Sequence, residues 1–595
     1  MPPRRPLLPA LSLLGLLLPA GASAQVCPDG VITTVFVDNH SIFDLDELPV
    51  DRLRWAFQLA NSVHIRTRRG FIRGELLFEE GDCYDPFLLA DSERILRRFL
   101  FIANAEVYGL RQPDGNWHVI VDTFDEWSTR IEVTARVDNG IDLRRLALSE
   151  RNFLGYGVSV TGFLRQTDAS RQIGAEFFTP RLFGTETDFR IAAGDTRTGS
   201  FYSADLFYPF VGEVGRWAWR AFGSSQEDFF DFSAGTPARP GHVLLPVRER
   251  LVEFTLLRRF GRPGSLSVAG LGLSQEDVET LAFPGDVRRV EGRNFGDLLP
   301  ADSTLAAELV PQTRFSSGLR LNLLFGQRNI RFIQRTGLDA LKGVSDIEIG
   351  SDLSLTLSRT LASGFGGESP DDIGVRLRLY GGAATSSLLL IADGALEARQ
   401  IFSDPGDQIS GWRDIVSESS LLLYLQPAGS GGRHTLFARL SGAGGWTLDR
   451  PFQLTLGGLT GVRGFEDDDF PGAYRLVANL EDRIFLGWPA PDLFDMGLTL
   501  FADAGRMWAG DVPFGLDSGW RGSVGAGLRL GFPSGTRGVA RIDLAWPVDG
   551  SGVGSTPMFR IVMSELLGLE RGTDVGMLRR TQLLEVGADR FAPRR

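Results

Sequence analysis

The chain has 595 residues, too many for one ordinary hydrophobic core, so more than one structural unit is expected. Its formal net charge of -12 argues against nucleic acid as a partner.

The first residues, Met1–Ala24, have the features of a secretory signal peptide. Arg4-Arg5 form the charged start, Leu11–Leu18 the apolar stretch and Ala22-Ser23-Ala24 the cleavage site. No later segment has 18 or more consecutive apolar residues, so no transmembrane helix is predicted. An exported chain with 72 glycines and 10% aromatic residues fits two classes, a secreted β-protein or an outer-membrane barrel.

Two cysteines, Cys27 and Cys83, lie in the N-terminal part of the chain. In the oxidising setting of an exported protein they are candidates for a disulfide. Two buried free thiols are the alternative, and the sequence leaves both open.

Residues 27–127 show a mixed pattern that predicts a small α+β domain. Its predicted elements are a strand at Val31–Val37, a helix at Val50–Val63, an extended stretch at Phe71–Phe78, a helix from Pro86, and strands at Phe101–Tyr108 and Trp117–Val121. The order resembles the polypeptide-transport-associated (POTRA) domain, as do Glu80-Gly81-Asp82 before the second helix and Leu96–Leu100 at its end. The resemblance implies one such unit, whose exposed sheet edge adds an extended client peptide as a strand. A spacer is the alternative role.

Residues 128–565 alternate with a period of two. The clearest runs are Arg130–Val137, Leu353–Ser358, Val375–Tyr380, Ser523–Leu530 and Val539–Trp546. Aliphatic side chains lie on one face, and arginine, glycine, serine and aspartate on the other. A transmembrane barrel has this pattern, with aliphatics towards lipid and polar groups towards a wet lumen. We therefore predict a mainly β chain with an antiparallel barrel of ~16 strands, at roughly 27 residues per strand and connection.

A glycine-bracketed arginine, Arg463, lies in Gly461-Val462-Arg463-Gly464-Phe465, before the acidic run Glu466–Asp469. By itself it is either a solvated loop residue or a cation with a partner elsewhere. Alternation in the next strand turns Glu481 towards the lumen, and alternation in Leu498–Gly505 turns Asp503 the same way.

This combination resembles the signature of the BamA/TamA-like superfamily, the bacterial surface antigen family. Its members carry a Val-Arg-Gly-Phe/Tyr motif at the tip of a long loop folded into the barrel, here Val462, Arg463, Gly464 and Phe465. The arginine meets an acidic residue of a Phe-x-Asp-x-Gly motif, here Phe501–Gly505. The resemblance implies Asp503 as the partner of Arg463, with Glu481 as a second inner-wall carboxylate. The pair is expected to lock the loop.

No catalytic residue, metal site or cofactor is predicted. The five histidines are scattered without metal-ligand spacing, and there is no nucleophile elbow or phosphate-binding glycine loop. Asp467–Asp469 are interpreted as a solvated acidic loop rather than a cation site. We expect the protein not to be an enzyme.

The resemblance implies a protein of the Gram-negative outer membrane, with its N-terminal domain in the periplasm. It would assist insertion of outer-membrane proteins or translocation of polypeptides. Its partners would be unfolded outer-membrane or exported clients, membrane lipid and periplasmic accessory proteins. The alternatives are a passive channel or structural surface barrel, and a dedicated secretion partner of one exported protein. The seam between Arg130–Val137 and Pro557–Ser564 is the expected opening, and residues 566–595 form a tail of open role.

Overall fold

The computed structural model describes residues 27–43, 54–138, 140–235, 241–292, 295–314, 316–363, 369–403, 410–430, 432–458, 461–488, 493–549, 552–554 and 556–564. The predicted signal peptide, residues 1–24, and the predicted tail, residues 566–595, lie outside the described residues. Within the described part, none of the helices has the length and apolar character needed to cross a bilayer.

The N-terminal region forms a three-stranded sheet covered by helices. Its elements are β1 (Ile32–His40), α1 (Arg54–Val63), α2 (Arg69–Gly74), α3 (Pro86–Arg98), β2 (Ile102–Arg111) and β3 (Trp117–Asp125). The sheet order is β1-β3-β2, in which β1 runs parallel and β2 antiparallel to the central strand β3. Ile32, Ile72 and Leu96 pack in the core between sheet and helices. A disulfide joins Cys27 to Cys83, with their Cα atoms 5.1 Å apart.

The prediction of an extended stretch at Phe71–Phe78 is wrong, because α2 occupies the first part of this range. Phe71 and Ile72 are adjacent and both buried in the same core. Adjacent residues of a strand face opposite sides, whereas a helix can turn both towards one core. The run of apolar residues was too short for its pattern to distinguish the two-residue period of a strand from the 3.6-residue period of a helix.

The remaining strands form a closed antiparallel barrel. They are β4 (Thr129–Asp138), β5 (Gly140–Phe153), β6 (Val158–Gln166), β7 (Arg171–Thr179), β8 (Asp188–Asp195), β9 (Ser200–Tyr208), β10 (Trp217–Ser233), β11 (Gly241–Arg262), β12 (Ser265–Thr280), β13 (Arg288–Glu291), β14 (Leu299–Pro300), β15 (Ser316–Thr336), β16 (Val344–Ala362), β17 (Asp371–Ala384), β18 (Leu388–Ser403), β19 (Gly411–Leu425), β20 (His434–Trp446), β21 (Tyr474–Leu486), β22 (Asp495–Trp508), β23 (Gly519–Gly531), β24 (Val539–Asp549), β25 (Gly552–Val553) and β26 (Met558–Ser564). A helix, α4 (Ser303–Leu309), lies between β14 and β15.

The barrel has twenty strands when the short pieces β13, β14 and β25 are left out, and β26 pairs with β4 to close it. The predicted number of about 16 strands is therefore wrong. The error came from the assumed spacing, since tight hairpins join the early strands. Four strands, β6 to β9, fit within residues 158–208.

The barrel wall separates apolar from polar side chains. On β17 Leu379 is 50% exposed on the outer face, whereas Arg376 is 4% exposed on the inner one. On β21 Leu480 points outwards and Glu481 is buried. A closed wall with an apolar outside and a polar inside satisfies its backbone groups without water, as a membrane-spanning barrel requires.

The N-terminal domain lies against one end of the barrel, which we call the near rim and define by the β15–β16 and β23–β24 connections. Arg97 of α3 makes an ion pair with Asp346 of β16, with 2.9 Å between Nη2 and Oδ1. Arg537, between β23 and β24, donates hydrogen bonds to the carbonyl oxygens of Arg97, Phe99 and Ile102. The opposite end, which carries the β10–β11 and β20–β21 connections, is the far rim.

Candidate functional site

The connection between β20 and β21, residues 447–473, starts at the far rim and folds into the barrel lumen. Its apolar residues Phe452, Leu456 and Val462 are buried against Val477 of β21 and Met507 of β22. Isolated backbone bridges hold the described part of this inner loop in a compact form: Leu454 with Gly472, and Gly457 with Val462. Apolar burial of this kind gives the loop a fixed position on the inner wall.

Two glycines of the inner loop sit where backbone must approach very closely. A Cβ atom on Gly464 would lie 2.8 Å from Cβ of Ser523 and 2.9 Å from the backbone nitrogen of Pro547, on β23 and β24. A Cβ atom on Gly457 would collide with the carbonyl group of Glu466 across the loop. The motif glycine therefore allows the loop to touch the wall, and Gly457 allows it to fold on itself.

Arg463 is buried between the two wall strands β21 and β22. Its Nη2 and Nε atoms donate to the two carboxylate oxygens of Asp503 at 2.6 and 2.8 Å, a bidentate pair. Its Nη1 atom donates to Oε1 of Glu481 at 2.6 Å, and its backbone N–H also reaches Asp503. The guanidinium lies over the ring of Phe501, 3.6 Å from its centre. Every partner comes from the wall, so the contact fastens the loop tip to the barrel.

Glu481 is the centre of a buried network of charges. It accepts hydrogen bonds from four guanidinium groups, on Arg463, Arg483, Arg529 and Arg541. Three more carboxylates balance those cations: Asp339 pairs with Arg483, Asp503 with Arg463, and Asp543 with Arg541. A balanced network can hold buried charges, but loss of one member leaves the others uncompensated.

Asp503 is fixed by neutral partners as well as by Arg463. The amide of Asn479 donates to it at 2.8 Å, and the hydroxyl of Ser523 donates at 3.1 Å. The same amide of Asn479 donates to the carbonyl oxygen of Gly461 at 3.0 Å. Asn479 of β21 and Ser523 of β23, on either side of β22, therefore hold Asp503 in the position that binds the arginine.

The inner loop also reaches the strand that closes the barrel. Arg560 of β26 donates from Nη2 to the carbonyl oxygen of Phe465 at 2.7 Å. Its Nη1 atom lies 3.1 Å from the carboxylate of Asp467. On the other side of the lumen, the hydroxyl of Ser233 on β10 donates to the carbonyl oxygen of Asp468. The loop thus connects the seam to the opposite wall.

The structure brings the predicted site residues Arg463, Asp503 and Glu481 together in the lumen. Gly464 lies against the wall strands β23 and β24, and the carbonyl oxygen of Phe465 accepts a hydrogen bond from Arg560 at the seam. The predicted set omits Arg560, although strand alternation turns it inwards. It also leaves unassigned the three other arginines around Glu481, which are Arg483, Arg529 and Arg541.

Part of the chain matches a domain of a known protein family. Residues 440–564 match the Omp85 superfamily domain, which includes the inner loop and the strands β21 to β26. No curated protein matches the chain. Among solved structures, BamA from Haemophilus ducreyi lacking POTRA domains 1–3 is 14% identical over 89% of this chain and 84% of its own, with a TM-score of 0.34. CdiB from Escherichia coli is 13% identical over 92% of both chains, with a TM-score of 0.42. CdiB from Acinetobacter baumannii is 11% identical over 90% of this chain and 73% of its own, with a TM-score of 0.39.

Proposed function

Because residues 440–564 form an Omp85 superfamily domain, we propose that this outer-membrane barrel inserts other proteins into the outer membrane or moves polypeptides across it. The observation that carries the proposal is the contact between the locked inner loop and β26. Arg463 fixes the loop to β21 and β22, and Arg560 ties the same loop to the closing strand. Such a link couples the lumen to the seam.

Among the twenty main strands of the described barrel, the junction between β26 and β4, which is the seam, has the fewest residue pairs. Five residue pairs join β26 to β4, from Phe559–Val137 to Met563–Val133. Seventeen pairs join β10 to β11. Since each backbone hydrogen bond contributes ~0.5–1.5 kcal/mol, separating the described pairs of the seam costs less free energy than separating β10 from β11. An opened seam has a free strand edge, to which an extended client adds by backbone pairing.

The proposed orientation follows from the two rims. The N-terminal domain at the near rim faces the periplasm, where unfolded clients and accessory proteins are met. The far rim and its long connections face the cell surface. The proposed partners are then client polypeptide at the near rim and lipid around the outer wall.

A disulfide across the seam tests the proposal. Ile561 and Ala135 are paired in register on β26 and β4, and both are replaced by cysteine. The matched control replaces the registered pair Ala502 and Val524 on β22 and β23. Oxidation of the seam pair should stop accumulation of client proteins in the outer membrane, and reduction should restore it. The control pair should have no effect in either state.

Depletion of the protein followed by outer-membrane proteomics separates the roles. Broad loss of barrels indicates assembly, and loss of one exported protein indicates dedicated secretion. An unchanged outer membrane, with normal function of the oxidised seam variant, would reject the proposal in favour of a passive or structural barrel.

A further inference from the structure

A second cluster of charged groups lies at the far rim, away from Arg463. It joins His242 at the start of β11, Asp168 in the β6–β7 turn and Asp468 of the inner loop. His242 and Asp168 are buried, and Asp468 is half-buried. Ala169, Phe229 and Leu244 pack beside them as an apolar cluster. Three separate segments therefore converge on one small polar space.

The protonation of one nitrogen of the His242 ring follows from the residue next to it. Nδ1 lies 2.8 Å from Oδ1 of Asp231, a carboxylate that can only accept, so Nδ1 carries a proton. The other nitrogen, Nε2, is buried and has no hydrogen-bond partner among the described residues. It faces Oδ2 of Asp468 at 3.4 Å and Oδ2 of Asp168 at 4.0 Å. Facing two carboxylates, Nε2 either carries a second proton or uses its lone pair to bind a cation that lies between them.

The spacing fits a metal ion better than a hydrogen bond. With metal–ligand bonds of ~2.0–2.1 Å, two ligand atoms of a tetrahedral site are ~3.3–3.5 Å apart. The Nε2–Asp468 separation of 3.4 Å lies in that range, and the Asp168 separation of 4.0 Å needs only a small closure. Asp231 on Nδ1 supplies the outer carboxylate that metal-binding histidines use to fix ring orientation.

We propose that Asp168, His242 and Asp468 bind a divalent transition-metal ion of the Zn²⁺ class. One imidazole with two carboxylates favours such an ion over Ca²⁺ or Mg²⁺, which take oxygen ligands. Arg144 donates to the other oxygen of Asp168 at 2.7 Å. The dication and that guanidinium balance the three carboxylates of Asp168, Asp231 and Asp468. The half-buried Asp468 leaves a route from the far rim.

The consequence is a second anchor for the inner loop. Asp468 lies five residues after Arg463, on the side of the loop facing β6, β7 and β11. Arg463 holds the loop to β21 and β22, whereas the metal holds it to the opposite wall. The ion thus bridges the lumen and is structural.

Metal analysis of the purified full-length protein tests this site. After removal of metal with a chelator and addition of Zn²⁺, we expect one tightly held Zn²⁺ per chain and a higher unfolding temperature. Co²⁺ in place of Zn²⁺ should give the visible absorption of a tetrahedral site. His242→Ala and Asp468→Asn should each lower Zn²⁺ affinity more than tenfold. Asp231→Asn, which perturbs only the outer partner, should lower it by about 10–100-fold.

The control is His40→Ala, in the cluster with Asp38 and Asp122 on the N-terminal sheet, where His40 and Asp122 are half-buried. That variant should retain the bound Zn²⁺ and the temperature shift. Asp468→Asn is the informative variant if His242→Ala does not fold, because its side chain is in a loop. Failure of the wild-type protein to hold stoichiometric Zn²⁺ would overturn the site and leave a protonated His242 between carboxylates. Unchanged Zn²⁺ binding in both ligand variants would overturn it too.

Discussion

Arg560 on the closing strand β26 donates a hydrogen bond to the carbonyl oxygen of Phe465, the last residue of the Val-Arg-Gly-Phe motif, at 2.7 Å. A side chain at the seam thereby contacts the backbone of a loop that is itself fixed to β21 and β22. The position of the loop and the closure of the barrel are therefore linked through one guanidinium.

Replacement of Arg560 by alanine should weaken this link. A hydrogen bond from a charged donor contributes about 1.5–3 kcal/mol, so the urea midpoint of the barrel in detergent should fall measurably. The Ile561–Ala135 cysteine pair should cross-link more slowly in this background, because the seam is open for a larger fraction of time. Arg506→Ala, which removes an exposed pair with Asp517, is the control and should change neither quantity. Equal cross-linking rates in the two variants would contradict the link.

Replacement of Arg463 by alanine should have a larger effect. It leaves Asp503 and Glu481 buried with fewer cations, and breaking a buried pair costs roughly 3–5 kcal/mol. We expect an exported protein that unfolds at lower temperature on semi-native gels and has reduced client activity. Arg463→Lys should be intermediate, since it keeps the charge but cannot form the bidentate pair with Asp503.

A double-mutant cycle separates this pair from general damage to the lumen. If the two residues act together, Arg463→Ala in an Asp503→Ala background should cost much less than Arg463→Ala alone. Additive losses would mean that the loop is held mainly by its apolar contacts, Phe452, Leu456 and Val462, and not by the ion pair.

Replacement of Gly464 by alanine should displace the loop tip. The added methyl group meets Ser523 and the backbone of Pro547, and such overpacking costs typically about 1–3 kcal/mol. Gly381→Ala on β17 is the matched control, because no atom lies within 4 Å of its added Cβ. Both variants are compared by urea unfolding and by protease cleavage at the far rim. A wild-type profile for Gly464→Ala would show that the loop tip has room that the structure does not indicate.

The pairing of Arg463 with Asp503 was a prediction from the sequence, because a local motif and a family resemblance point to the same residues, and the structure brings the two side chains together. The sequence could not supply the strand number, which depends on turn lengths that alternation does not encode, as the hairpins of β6 to β9 show. The sequence alone also could not predict the cluster of Asp168, His242 and Asp468. Its members come from three distant segments, and only the closed barrel brings them within 4.8 Å of one another.

The contact between Arg97 and Asp346 gives the last prediction, which concerns the near rim. Two nitrogens of Arg97 donate to the two oxygens of Asp346 at 3.0 and 2.9 Å, between α3 and β16. A partly buried bidentate pair is stronger than an exposed one, so Arg97→Ala should weaken docking of the N-terminal domain. Protease cleavage near α3 should become faster, with little change in the urea midpoint of the barrel.

The control for this prediction is Arg69→Ala, which removes an exposed ion pair with Asp38 within the same domain. Exposed pairs contribute only ~0–1 kcal/mol, so cleavage should stay at the wild-type rate. The swapped variant Arg97→Asp with Asp346→Arg should restore protection in part, because the charges are again opposite across the rim. Equal cleavage of the wild-type, Arg97→Ala and swapped proteins would mean that Arg537, with its hydrogen bonds to the carbonyls of α3 and its C-terminal turn, is enough to hold the domain.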